Sequence, residues 1–211
     1  SSEKIMEHIL RFILAYLLGS IPSAVWIGKT FFGKDVREHG SKNSGATNTF
    51  RVLGAQAGII VLLADILKGV LAVSLAYFFK SYTQSFSFEY YKLLLGLTAV
   101  LGHVFSVFVK FKGGKGVATM FGVVLNVFPI AAAIGIVVFI LVFAFTRYVS
   151  LSSMLGSLSF PITVILIQQH HDLPIELLAF FIPSLIIYTH RTNIKRLLRG
   201  EENKLDLKRK S

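Results

Sequence analysis

Long apolar runs separated by short polar connections constrain this chain more than any other feature. A helix that crosses a membrane needs about 17–25 consecutive, mostly apolar residues. Runs of this kind lie near residues 9–28, 56–79, 92–109, 129–146, 150–168 and 175–189, and a shorter one lies near 117–127. We therefore predict an all-α polytopic membrane protein with about seven transmembrane helices in one domain, residues 1–211.

The composition supports this class and limits the possible partners. Only 16% of the 211 residues are charged, whereas a soluble domain has about 25%. The formal net charge of +11 favours phosphates and anionic lipid head groups as partners. A nucleic-acid partner is not expected, because little of the chain could form the soluble body that such a domain needs. The absence of cysteine excludes disulfides and thiolate chemistry.

The positive charges lie mostly on one side of the predicted helices. Most of the 22 Lys and Arg residues fall in the connections 29–51 and 110–115, at Arg147, and in the tail 190–211. Cytoplasmic loops collect Lys and Arg. We therefore predict an N-terminus outside the cell and a cytoplasmic C-terminus.

A flexible cationic segment, KFKGGKGVAT at 110–119, interrupts the apolar runs. We call residues 110–116 the glycine–lysine loop. Topology alone explains its lysines but not its three glycines, which let a backbone approach a ligand closely. A helix beginning near Val117 would also direct its positive end at the loop. The pattern favours a phosphate site, and its candidate residues are Lys112, Gly113, Gly114, Lys115 and Gly116.

A second polar segment, HGSKNSGATNTFR, occupies residues 39–51, which we call the polar loop. Backbone amides in glycine-rich turns and at helix starts form concave anion sites. An ordinary surface loop is an equally good interpretation of the composition. The candidate phosphate-binding residues here are Gly40, Ser41, Asn43, Gly45, Ala46, Thr47, Asn48 and Arg51.

A third segment, THRTNIKRLLRGEE at 189–202, follows the last apolar run. On a helix that continues out of that run, His190 and Asn193 lie three residues apart on one face. Arg191 and Lys195 lie on another face. The basic residues at the end of the tail, KLDLKRKS, are explained by the preference of cytoplasmic segments for positive charge.

Three further polar residues fall within the apolar runs. Asp65 and Lys68 are three residues apart, and a paired charge is tolerated in a membrane far better than a single one. We predict an internal ion pair that supports the helix bundle, with a role in closing the polar site as the second possibility. His103 is more often a packed histidine than a ligand in such a position.

Well-known catalytic motifs are absent. SAVWIGKT at 23–30 resembles a P-loop, but Ser23 replaces the first glycine and no strand precedes it. No His and carboxylate cluster has the spacing of metal ligands, so no metal or other cofactor is expected. No nucleophile or strong general base is evident either. Donor groups without a nucleophile suit a small phosphorylated substrate that meets a hydrophobic one.

At these residues the chain resembles the bacterial integral-membrane glycerol-3-phosphate acyltransferases of the PlsY type, which use acyl phosphate as donor. The family often has Pro where Ser44 stands, a difference that keeps the turn. The matching stretches are GSIP (19–22), GSKNSGATNTFR (40–51), DILKG (65–69), GHVFSVFVKFKGGKGVAT (102–119) and HRTNIKRLLRGEE (190–202).

The resemblance implies acyl transfer from acyl phosphate to glycerol 3-phosphate, which gives lysophosphatidic acid and phosphate. It implies a bacterial inner-membrane enzyme whose active site faces the cytoplasm, with membrane lipids as partners. Ser41 and Asn43 would contact a phosphate, and Arg51 and Lys115 would neutralise phosphate charge. The loop glycines would let the backbone wrap the donor's head. His190 and Asn193 would hold glycerol 3-phosphate.

Two mechanisms are compatible with these residues. The glycerol hydroxyl could attack directly and pass its proton to a phosphate oxygen of the donor, while the protein positions the reactants and stabilises charge. Alternatively, His190 could act as a general base.

Two other functions are possible rivals, a transporter of phosphate compounds and a lipid-binding scaffold. The chain shows no internal repeat of the kind common in transporters.

Overall fold

A computed structural model describes residues 2–78, 87–169 and 171–206. All regular elements in these ranges are helices, which confirms the predicted all-α class. The chain forms two compact units, residues 1–127 and residues 128–209. Lys80 and the last five residues of the predicted basic tail lie outside the described residues.

The described part of the first unit, residues 2–78 and 87–127, contains six α-helices. Short 3₁₀ turns at Val36–Glu38, Leu75–Tyr77 and Val107–Val109 lie between or beside them. The helices are α1 (Ser2–Ser20), α2 (Ser23–Phe32), α3 (Ala46–Leu53), α4 (Ala55–Ser74), α5 (Phe88–Val104) and α6 (Val117–Val127).

The first predicted span, near residues 9–28, contains a break in the helix. The chain breaks between α1 and α2 at Ile21 and Pro22, and the two helix axes meet at 44°. Proline has no amide hydrogen and its ring clashes with the preceding turn, so Pro22 disfavours a straight continuation of α1. The break leaves the last carbonyl groups of α1 to be satisfied by other parts of the unit.

Glycines allow very close packing around α4. A Cβ on Gly69 would collide with the carbonyl oxygen of Thr119 in α6, and one on Gly122 would collide with that of Ile66 in α4. α3 also packs on α4, with the Phe50 ring against Gly58. Small residues let membrane helices approach until their backbones touch. As a result, α4 fixes the positions of both α3 and α6, the two helices that follow the candidate phosphate loops.

The second unit is built on α7 (Pro129–Thr146), α8 (Val149–Pro161), α9 (Leu173–Thr189) and α10 (Arg191–Leu198). Pro129 begins α7, where its missing amide hydrogen costs nothing, and α7 has the same bounds as the predicted run 129–146. A wide π-helical turn at Ile162–Ile167 extends α8. Residues 201–206 then run along the unit, and the amide of Leu205 donates to the carbonyl of Arg147 over 3.0 Å.

The helix that the sequence predicts to continue out of the last span, with His190 and Asn193 on it, is bent at this point. α9 and α10 meet at 63°, and His190 is the residue at the bend. The two residues still lie close together, because Asn193 is in the first turn of α10. Both are buried, whereas Arg191 and Lys195 are exposed.

Among the described residues, four segments are long and apolar enough to cross a membrane. They are Ala55–Tyr77, Phe88–Val109, Pro129–Thr146 and Val149–Ile167. The bent pairs α1–α2 and α9–α10 raise the number to six if each pair forms one span. α6 has the predicted bounds but only 11 residues. The multi-span helical class is therefore confirmed, while the number seven and the orientation stay predictions.

Candidate active site

The polar loop is organised around the buried side chain of Asn48. Its amide nitrogen donates to the carbonyls of Val36 and His39 over 2.7 and 3.1 Å, and its oxygen accepts from the amide of Ser41 over 2.8 Å. Gly40 adopts a left-handed conformation with φ +59°, and a Cβ there would collide with the Asn48 side chain. The structure therefore commits the Asn48 carboxamide to the shape of the loop, whereas the sequence analysis counted it among the phosphate contacts.

The second half of the polar loop forms most of α3. Gly45 occupies the N-cap position and has no side chain to cap the first amides, and its carbonyl accepts from both the amide and the hydroxyl of Thr49, each over 3.1 Å. Uncapped amides at a helix start favour an anion. The half-buried side chains of Ser41, Asn43 and Thr47 belong to this same stretch. Arg51, in the last turn of α3, is half-buried as well.

An ion-pair cluster that the sequence analysis missed fixes the entry to the polar loop. The Asp35 carboxylate accepts two hydrogen bonds from the Arg37 side chain, of 2.9 and 2.6 Å, and lies 3.1 Å from Lys29 Nζ. The hydrogen bond from the Arg37 side chain holds the pKa of Asp35 well below its usual range, against the effect of burial. Lys29 and Arg37 are therefore engaged within the protein.

The glycine–lysine loop packs against the last turn of α5. The amides of Gly113 and Gly114 donate to the carbonyls of Val104 and His103 over 3.0 and 3.1 Å. A Cβ on Gly113 would collide with the His103 carbonyl oxygen, and one on Gly114 with the His103 imidazole. The structure thus gives these two glycines a packing role inside the protein, which the sequence analysis did not consider.

The lysines of this loop differ in their surroundings. Lys110 and Lys112 are exposed, whereas Lys115 is half-buried between two buried glycines. Gly116 has φ +81°, a left-handed conformation that glycine adopts without strain, and α6 begins at the next residue. Lys115 therefore sits directly before the positive end of a helix, as the sequence predicted.

A buried charged cluster connects α4 and α5. Lys68 Nζ lies 2.9 Å from an Asp65 carboxylate oxygen, and His103 Nδ1 lies 3.8 Å from the same oxygen. All three side chains are buried. The predicted ion pair is therefore present in the structure, and His103 adjoins it.

In the second unit, His190 has a defined tautomer. Its Nδ1 lies 2.8 Å from the carbonyl oxygen of Ile186. Because a carbonyl oxygen can only accept a hydrogen bond, Nδ1 must carry a proton. In the neutral ring, Nε2 is then the nitrogen that can accept a proton.

Asn193 is held by a buried carboxylate that the sequence analysis did not select. Glu202 accepts hydrogen bonds from Asn193 over 2.6 Å, from Ser150 over 2.8 Å and from Arg196 over 2.8 Å. Burial raises the pKa of Glu202, but these hydrogen bonds and the charge of Arg196 outweigh burial, so the pKa is lowered. The signal that could have identified Glu202 is Gly200, whose φ of +71° ends α10 and turns the chain back.

The structure thus brings the predicted residues together in local groups. Within the first unit, residues 40–51 share one loop and helix, and residues 112–116 share another loop. Within the second unit, His190 and Asn193 are neighbours. The phosphate roles of Arg51 and Lys115 and the substrate role of His190 stay predictions. Among the described residues, no group of three or more His, Asp or Glu side chains could hold a metal ion.

Apolar helices of membrane-spanning length, joined by glycine-rich cationic connections, define a helical integral membrane protein. The family model described as glycerol-3-phosphate acyltransferase matches residues 9–200. The chain belongs to the glycerol-3-phosphate acyltransferase family, as its motifs indicated.

Individual relatives are similar over nearly their whole length. The glycerol-3-phosphate acyltransferase of Fusobacterium nucleatum subsp. nucleatum is 49% identical over 193 residues, which cover 91% of this chain and 95% of the relative. Glycerol-3-phosphate acyltransferase 2 of Bacillus anthracis is 48% identical over 198 residues, covering 94% of this chain and 99% of the relative.

Solved structures of PlsY (YgiH), an integral membrane glycerol 3-phosphate acyltransferase, have a similar fold. The glycerol 3-phosphate form matches with a TM-score of 0.82 and 39% identity, covering 94% of this chain and 96% of that structure. The lysophosphatidic acid form matches with a TM-score of 0.79 and 37% identity, covering 95% and 96%.

Proposed function

We propose that this protein transfers a fatty acyl group from acyl phosphate to glycerol 3-phosphate, giving 1-acyl-glycerol 3-phosphate (lysophosphatidic acid) and phosphate. The reaction would be the first acylation of phospholipid synthesis, at the cytoplasmic side of a bacterial inner membrane. The observation that carries the proposal is the family match over residues 9–200, a range that includes every candidate site residue.

The solved relatives support the choice of acceptor and product. One PlsY structure is a glycerol 3-phosphate form and the other is a lysophosphatidic acid form. These two molecules are the acceptor and the acylated product of the proposed reaction. The acyl phosphate donor comes from the resemblance of the motifs, and two separate anion-favouring loops suit two phosphorylated substrates.

We propose separate tasks for the candidate residues of each unit. Arg51 and Lys115 neutralise phosphate charge, while Ser41, Asn43 and the first amides of α3 donate hydrogen bonds to phosphate oxygens. His190 and Asn193 hold glycerol 3-phosphate. Burial of both residues, together with the hydrogen bond from Asn193 to Glu202, supports this role, because fixed side chains lose little freedom when the substrate binds.

We propose that the reaction proceeds without a protein nucleophile. The 1-hydroxyl oxygen of glycerol 3-phosphate attacks the acyl carbon and forms the ester bond. The bond between that carbon and the phosphate oxygen breaks, phosphate leaves with the electron pair, and the hydroxyl proton moves to a phosphate oxygen of the donor. Positioning and charge stabilisation then supply most of the acceleration, since a single well-placed donor is worth about 10²–10³-fold in rate.

His190 as general base is the competing mechanism, and the Nδ1 proton supports it because Nε2 would be the accepting nitrogen. His190→Gln can decide between the two, since glutamine keeps hydrogen-bonding groups but cannot take up the proton. A fall in kcat of about 10²–10⁴-fold with an unchanged KM for glycerol 3-phosphate would favour the base. A raised KM with a smaller change in kcat would favour substrate assistance.

The function itself is tested with purified protein in detergent and radiolabelled glycerol 3-phosphate. Labelled lysophosphatidic acid formed with acyl phosphate but not with acyl-CoA, together with one phosphate released per lipid, is the expected result. Labelled lipid formed only with acyl-CoA would overturn the proposed donor. No lipid with either donor, combined with uptake of label into vesicles, would overturn the enzyme in favour of a transporter.

Lys115 and Lys110 provide a matched pair for the phosphate site. Both lie in the glycine–lysine loop, but Lys115 is half-buried and Lys110 is exposed. Removing one positive charge by Lys115→Met should lower kcat/KM by about 10²–10³-fold. Lys110→Met removes the same charge but should lower kcat/KM far less. Equal losses in both variants would contradict a specific role for Lys115.

A further inference from the structure

At the break in the first span, side chains from elsewhere in the unit satisfy two carbonyl groups, those of Ser20 and Ile21. The carbonyl of Ser20 accepts the hydroxyl of Ser106 over 2.5 Å. The carbonyl of Ile21 accepts Lys68 Nζ over 2.9 Å, as well as the amide of Ser23 over 3.0 Å. Lys68 therefore links the break in the first span to α4, and Ser106 links it to the segment that precedes the glycine–lysine loop.

The same lysine begins a chain of contacts that ends in the glycine–lysine loop. Lys68 pairs with Asp65 at 2.9 Å, and the Asp65 oxygen lies 3.8 Å from His103 Nδ1. The other side of the His103 ring faces Gly114 so closely that no Cβ would fit there. The His103 carbonyl also accepts the Gly114 amide over 3.1 Å. One buried cluster thus contacts the span break, two helices and the loop that carries Lys115.

Stability alone does not explain this arrangement well. A buried ion pair is often no more stabilising than apolar residues of the same volume, and the pair occupies a unit that already packs through close glycine contacts. A cluster that contacts both the span break and the loop does define their relative positions. The carbonyl and ring of His103, at the end of this cluster, contact the loop backbone at Gly114, just before Lys115.

We propose that Asp65, Lys68 and His103 are positioning residues, which set the conformation of the glycine–lysine loop and so present Lys115 to phosphate. The last part of this inference rests on the proposed function. The conformational part does not, because it concerns contacts that lie wholly within the first unit. None of the three side chains needs to touch a substrate.

The chain has no cysteine, so Lys110→Cys creates a unique site for a nitroxide spin label on the exposed side of the loop. In this background we compare Lys68→Met and His103→Ala with the otherwise unchanged chain. Each variant should increase the mobility of the label and raise KM for acyl phosphate by about 10- to 100-fold, with a smaller effect on kcat. Without the spin label, Lys68→Arg should recover most of the affinity, since its guanidinium can still bridge a carbonyl and a carboxylate.

Lys92 provides the matched control. It is also a buried lysine, 3.4 Å from the Tyr77 hydroxyl and 5.1 Å from the centre of the Phe88 ring. It is in α5, eleven residues before His103, or roughly 16 Å along the helix. Lys92→Met therefore removes a buried charge of the same kind without touching the loop, and label mobility and KM should stay unchanged.

The outcomes separate the two proposals. Unchanged label mobility in folded Lys68→Met and His103→Ala would overturn the inference, even if the enzyme is active. Increased label mobility in these variants, when the otherwise unchanged protein forms no lipid, would support the positioning role of the cluster and overturn the proposed function. Should Lys68→Met not fold, the double variant Asp65→Asn with Lys68→Met carries the test, because it leaves no unpaired buried charge.

Discussion

Asn193 donates a hydrogen bond of 2.6 Å to Glu202, and the same carboxylate oxygen accepts the Ser150 hydroxyl over 2.8 Å. The pair joins the start of α10 to the segment that follows it, across the turn at Gly200. Through this hydrogen bond, Glu202 holds the side-chain amide of Asn193 in place. It also explains how the segment 201–206 is anchored to α8.

Glu202→Gln should therefore destabilise the protein. Glutamine can still accept from Asn193, but its amide nitrogen then faces the donor Nε of Arg196, and the charge is lost. Hydrogen bonds to buried charged groups contribute about 1.5–3 kcal/mol each, so we expect a loss of about 2 kcal/mol in unfolding free energy. Thermal unfolding in detergent measures it. Glu201→Gln, at an exposed neighbour, is the control, and an equal loss there would contradict the assignment.

The entry to the polar loop should be sensitive to acid. Hydrogen bonding from Arg37 lowers the pKa of Asp35, so the ionised carboxylate stabilises the folded state. That contribution is fully present above the unfolded value of about 3.9 and is lost as the pH falls through the lower folded value. Asp35→Asn should remove about 1 kcal/mol at neutral pH and flatten the fall in Tm below about pH 4.

The control for this acid dependence is Asp172→Asn, which changes an exposed aspartate at the start of α9. Its side chain makes no capping hydrogen bond. The Tm profile of this variant between pH 7 and pH 3 should follow that of the unaltered protein. If the Tm profile of Asp35→Asn also follows that of the unaltered protein, the ion-pair cluster around Asp35 does not contribute to stability.

Asn48→Asp tests whether this side chain organises the polar loop. Aspartate has the same shape, but an oxygen replaces the side-chain nitrogen that donates to the carbonyls of Val36 and His39. That oxygen can only accept hydrogen bonds, so it faces two other acceptors. Each unmade buried hydrogen bond costs about 1–3 kcal/mol, so Tm should fall strongly and the KM of the phosphate substrates should rise. Asn43→Asp, whose side chain is half-buried, should leave Tm nearly unchanged. The interpretation fails if Asn48→Asp alters KM but leaves Tm intact.

The sequence predicts the helices well where local signals dominate. Pro129 begins α7 and the glycines before Val117 precede α6, and both helices have their predicted bounds. Pro22 was an equally local signal, but the apolar run around it concealed the break. The roles of Asn48 and Glu202 are harder to predict, because they depend on partners 6–52 residues away. Long-range pairing of this kind has no periodic pattern in a sequence.

The last prediction compares two adjacent glycines in the glycine–lysine loop. Alanine at Gly113 would collide with the backbone carbonyl of His103, whereas alanine at Gly114 would collide with its imidazole. A backbone atom in a helix cannot be removed by mutation, but a side chain can. Both single variants should therefore lose substrate affinity, and adding His103→Ala should restore the fit of Gly114→Ala but not that of Gly113→Ala.

This comparison is measured as a pair of double-mutant cycles on Tm and on kcat/KM. Contacting residues usually show coupling of about 0.5–3 kcal/mol, so the cycle of His103 with Gly114 should deviate from additivity by that amount, in the direction of rescue. In the cycle with Gly113, the losses from the two single variants should add, or the double variant should lose more than their sum. Rescue of both variants by His103→Ala would mean that the loop shifts as a whole, and would contradict the separate contacts. Rescue of neither, with all variants folded, would mean that the imidazole does not limit the space at Gly114.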